Sequence, residues 1–156
     1  MVKSPESMTS ELSAWNGGNG IDLKSWVQCM GDFKLAVGYS TVFWPKFVLF
    51  EDYILLEGFD LEALRGFERA NRGDKAAVEW VMNHCHIADI HCGDRDNLSE
   101  DKIVLLGNTL KEIHLAKLLW QFPDRPCVVE FHEPDDRKNL MEFQLSFWQK
   151  KHEKKS

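Results

Sequence analysis

A chain of 156 residues and 18.1 kDa has the length of one ordinary domain. A domain of that length buries roughly 68–70% of the surface its unfolded chain exposes, enough to fold without disulfide or metal staples. The composition is 44% hydrophobic and 12% aromatic, with six tryptophans, which excludes a disordered chain, and no apolar run approaches the roughly 20 residues of a membrane span. The formal net charge of -6 divides unevenly, because the tail KKHEKKS (Lys150 to Ser156) carries four lysines and one glutamate and leaves -9 on residues 1–149. An acidic body repels phosphate backbones, so nucleic-acid binding is set aside. The four cysteines lie at irregular spacings and no secretory signal pattern opens the chain, so a reduced, cytoplasmic protein is expected.

Residues 1–20, rich in Ser, Gly and Asn, read as a flexible lead-in with at most a short helical turn near Glu11 to Trp15. Asp22 offers an N-cap, and Leu23, Trp26, Val27, Met30, Phe33 and Val37 recur at helical spacing, loosened at Gly31. Pro45 stops that helix and holds Trp44 extended. FVLFEDYILLEG suits a short strand pair near residues 47–56. Asp60 caps a helix over Leu61 to Ala70, and Asp74 caps one from Lys75 through Ile90 that ends at Gly93. Asn97 and Glu100 read as a capping pair for a long helix carrying Ile103, Leu106, Leu110, Ile113, Leu118 and Trp120, closed before Pro123.

From Cys127 the period changes to two. Cys127, Val129 and Phe131, and then Met141, Phe143, Leu145 and Phe147, alternate with their neighbours as two strands joined by the loop EPDDRKN. The expected fold is therefore α+β: about four helices, a C-terminal antiparallel β-hairpin and room for a second short strand pair at 47–56. Residues 21–149 form one globular domain, between the lead-in and a frayed basic tail at 150–156. Trp26, Trp80 and Trp120 fall on apolar helical stripes and are read as core.

The stretch VMNHCHIADIHCG (Val81 to Gly93) is the densest in chemistry. On one straight helix, His84 and His91 stand two turns apart, about 10.5 Å of rise, and His86 points roughly opposite, so the three do not converge. Were NHCHI extended, His84 and His86 would share a face at i, i+2, the spacing at which two imidazoles grip one metal. No nucleophile elbow, HExxH helix, glycine-rich phosphate loop or CxxC motif is present.

Two functions are in view. The first is a small acidic protein-interaction domain, of the toxin-immunity or adaptor kind, that covers a basic protein partner through Trp44, Glu51, Asp52, Glu57, Asp60 and Glu62, with neither nucleic acid nor membrane involved and a homodimer through the terminal strand edge open to it. It needs no cofactor. The alternative is a metal-dependent hydrolase, using zinc or another divalent metal on His84, His86 and His91 with Asp89 to lower the pKa of a bound water.

Overall fold

The structure, a computed structural model, describes residues 3–154. In chain order these form α1 (Thr9–Ser13), α2 (Trp15–Gly18), α3 (Leu23–Met30), α4 (Phe33–Phe43), β1 (Phe47–Phe50), β2 (Tyr53–Leu56), α5 (Leu61–Ala70), α6 (Lys75–Met82), β3 (Cys85–His86), α7 (Glu100–Gln121), β4 (Cys127–His132) and β5 (Gln144–Gln149), with short 3-10 turns between. The class is α+β. The expected count of about four helices becomes seven among the described residues, and the C-terminal strand pair belongs to a larger sheet.

β1 and β2 pair antiparallel from Phe47 opposite Leu56 to Phe50 opposite Tyr53, around a two-residue turn at Glu51 and Asp52. The second sheet has the order β3-β5-β4, all antiparallel. β5 is its central strand, which is why Leu145 and Phe147 and also Ser146 and Gln149 are enclosed. Strand alternation at β2 serves two adjoining cores. Ile54 faces the main one with Phe47, Ile103, Leu110, Leu118, Val129 and Phe147, while Tyr53 and Leu55 face a smaller one with Leu64 and Val78.

The two sheets share no strand pairing; Glu79 of α6 and Asn83 just past it bridge them. Glu79 is fully buried, its Oε1 accepting from the backbone N–H of Ile54 (2.8 Å) and its Oε2 from that of Gln149 (2.7 Å). Asn83, just past the helix, donates from Nδ2 to the carbonyls of Ile54 (2.9 Å) and Phe147 (3.2 Å) and accepts at Oδ1 from Leu56 N–H. Two helix-borne side chains thus satisfy edge groups that a strand would otherwise pair.

Three sequence expectations need correction. The helix read through 75–90 ends at Met82, because Asn83 is committed to the strand edges and Cys85 and His86 pair with Leu145 and Gln144. The helix begun at Asp22 breaks at Gly31, which is extended (ψ 155°) and where a Cβ would lie 2.5 Å from the Val27 carbonyl oxygen; Asp32 then caps a new helix by accepting from the N–H groups of Lys34 and Leu35. The long helix starts after Ser99, while Asn97 lies in the preceding 3-10 turn, donating to Asp94.

The ends are more ordered than the sequence suggests. In the lead-in Leu12 is buried, and Ser7 donates from its backbone N–H to Asp101 (2.8 Å), docking the segment on α7. The basic tail folds back as far as Lys154, which pairs with Asp74 (2.7 Å), and Lys151 pairs with Asp52. Residues 1, 2, 155 and 156 of those two segments lie outside the described ones.

Candidate functional site

The break at Asn83 remakes the histidine segment. With Cys85 and His86 in a strand, the His84 and His86 rings lie 5.5 Å apart, edge to face. His84 Nδ1 donates to the Val81 carbonyl and His86 Nδ1 to the Met141 carbonyl, each at 2.6 Å. A carbonyl can only accept, so Nδ1 carries the proton and the neutral ring keeps Nε2 as an open acceptor. Metal-binding histidines are commonly held in this way.

Both rings border a cavity of about 460 Å3 between the end of α4, β2, β3 and α7, together with Thr41, Cys85, Asp89 and His114 and apolar walls from Val42, Leu56, Ile90 and Leu110. The structure therefore brings together His84, His86 and Asp89 and leaves out His91, whose Nε2 meets the Tyr39 hydroxyl with the two rings 5.5 Å apart. His114 is buried in this wall with its Nδ1 enclosed and without a hydrogen-bond partner. Burial, followed by the positive charge of Lys117, pushes its pKa down to about 4, so it is neutral at physiological pH.

The chemistry of this cavity is limited. Among the described residues no three of His, Cys, Asp and Glu stand where they hold an ion in common, so the donor set of the hydrolase reading does not fit a metal in this arrangement. Burial pushes the Cys85 thiol up, away from the thiolate a nucleophile requires.

The six residues expected to form a partner face separate into different roles. Glu51, in a left-handed backbone conformation (φ 54°), is paired with Arg65. Asp52 meets Lys151, Lys75 (3.0 Å) and Arg125 (3.1 Å), and hydrogen bonds from Lys151 first and then Lys75 hold its carboxyl far below the usual carboxylate range. Glu57 pairs with Lys46 at 3.4 Å, at the other end of the β1–β2 hairpin. Asp60 caps α5 by accepting from the N–H groups of Glu62 (2.7 Å) and Ala63 (3.1 Å), and Glu62 is exposed in the first turn of that helix. All but Glu62 hold the fold's own cations or a helix end.

Trp44 keeps a different company. It is 51% exposed and stands 6.2 Å, ring to ring, from Trp120, which the helical pattern assigns to the core and which is 72% exposed. Trp26 and Trp80 are half-buried. Lys117, itself buried, places its ammonium 4.7 Å from the centre of the Trp44 ring and donates to the Trp44 carbonyl. Leu115 and Leu119, one turn apart on α7, are also exposed. The two tryptophan side chains present about 250 Å2 to solvent, taking about 200 Å2 for each.

Sequence reading picked out Trp44 and missed Trp120, Leu115 and Leu119, for which helical spacing was the available signal. Positions 108, 112, 115, 116 and 119 trace a face of α7 that no other element covers. No helix among the described residues is long and apolar enough to cross a membrane. The chain matches no protein-family model, no curated protein and no solved structure, so its fold and its sites are read from its own residues alone.

Proposed function

We propose that the chain is a protein-interaction module, of the toxin-neutralising or adaptor kind, that docks a protein partner through the Trp44 and Trp120 patch. The observation that supports this reading is the exposed tryptophan pair, braced by a buried lysine on a helix and a proline-stopped turn. Such rings offer large contact area at low conformational cost and are the side chains most enriched where binding energy concentrates. The net charge of -6 favours encounter with a cationic partner at a distance, while the contact itself is apolar.

The test uses one captured partner and two variants. A Trp120→Ser chain should lose the partner with an unchanged melting temperature, since the ring is mostly outside the core. Glu62→Lys, at an exposed position, should leave the bound complex intact and alter only its association rate at low salt. Retention of the partner by Trp120→Ser overturns the assignment.

A further inference from the structure

The helical pair α3–α4 meets that patch only at its far end, where Trp44 caps α4, and no residue of either helix is buried. Phe33 at the elbow is 92% exposed and Val37 71%, with Val27, Met30 and Leu35 each about half exposed. α4 carries one charged side chain, Lys34, in eleven residues. A solvated helix with this composition is out of keeping with the polar faces that surface helices present. The pair is nonetheless fixed in place. Trp26 Nε1 donates to Glu11 (3.0 Å), and Tyr39 bonds to His91.

We infer that α3–α4 is a dimerisation arm whose occupant is a second copy of this chain. Three features select a copy over a foreign protein. Within residues 22–43 the charges are Asp22, Lys24, Asp32 and Lys34, which cancel, so two such surfaces meet without the repulsion of two bodies of charge -6, and a cationic partner finds no net charge there to match. The surface is apolar on both sides of the elbow: a groove of about 510 Å3 is lined by Trp26, Val27, Met30, Leu35 and Tyr39, and Phe33, 92% exposed, belongs to the same lining. A two-fold axis through the elbow puts each Phe33 into the other copy's groove, the reciprocal contact that closes a symmetric dimer. Phe33 alone offers roughly 140–230 Å2, and the other four exposed apolar side chains with the groove residues extend the contact toward the roughly 800 Å2 per copy of a standard interface.

This inference is independent of the tryptophan patch. The full chain is measured by sedimentation equilibrium at about 50 µM, above the micromolar constants of weak interfaces of this size. A mass of about 36 kDa, twice 18.1 kDa, is expected. Phe33→Asp and, separately, Val37→Lys should return the monomer mass with unchanged circular dichroism, and Trp120→Ser should remain dimeric. A wild-type monomer, a mass that keeps rising past the dimer, or a dimer indifferent to both arm variants overturns it.

Discussion

Replacing Glu79 with alanine probes the bridge between the two sheets. The carboxylate is fully enclosed and accepts three hydrogen bonds: from Ile54 N–H, from Gln149 N–H, and from Gln149 Nε2 at 2.6 Å. After truncation Gln149 Nε2 still donates to the Asp52 carbonyl at 2.7 Å, but the two backbone donors are left enclosed and unmatched. Each costs about 1–3 kcal/mol. Removing a buried carboxylate also relieves its desolvation, which places the net loss in the lower half of the summed range of about 2–6 kcal/mol, about 3 kcal/mol. Against a total stability of about 5–15 kcal/mol the variant folds but melts lower, by about 6–12 °C for a domain of this length. Urea unfolding followed by tryptophan fluorescence measures it. Glu79→Gln, which keeps one acceptor oxygen and the side-chain shape, should fall between wild type and alanine. A Glu79→Ala stability within about 1 kcal/mol of wild type would refute the bridge as a keystone.

Other substitutions test separate parts of the structure. His114 has a folded pKa of about 4 against an ordinary 6.5, so the folded state binds its proton more weakly; its contribution is complete above pH 6.5 and drains as pH falls toward 4, by up to about 3 kcal/mol. His114→Phe should flatten that window in urea titrations at pH 7 and pH 4.5, and an unchanged pH slope would assign the effect elsewhere. Gly107 lies inside α7 where a Cβ would meet the Phe131 ring at 2.2 Å, so Gly107→Ala should lower the melting temperature despite a helix-propensity gain of about 1 kcal/mol, and Phe131→Leu should recover part of the loss. Asp60→Ala removes both cap bonds of α5 and should cost about 1 kcal/mol in chemical unfolding, with no change if the first turn recaps itself.

Local signals were read well where the chain answers to itself. Asp60 before Leu61, Asp74 before Lys75, and the alternation at Cys127 to Phe131 each specify an element through neighbours a few residues away. The segment after Met82 does not, because Asn83 is fixed by Ile54 and Phe147, 29 and 64 residues distant, and the strand at Cys85 exists only against β5. That is why the helix overran and why the i, i+2 pairing of His84 and His86 could be stated only as a condition. Trp120 was read as core for another reason. Spacing shows that a face is apolar, and the same spacing serves a core and a surface awaiting another chain.

The placement of β5 has a consequence for how the protein is made. It is the central strand of its sheet and the last one in sequence, and the Glu79 and Asn83 side chains find their partners there 70 and 64 residues downstream. During synthesis α6 emerges well before the backbone it must bond, so folding is governed by non-local closure and is slow compared with a helical bundle of equal length. A nascent or truncated chain that stops short of residue 144 carries an unmatched carboxylate, an open strand edge and an uncovered apolar layer, the features that holding chaperones and proteases engage. Completion of β5 therefore supplies the backbone groups that Glu79 and Asn83 await.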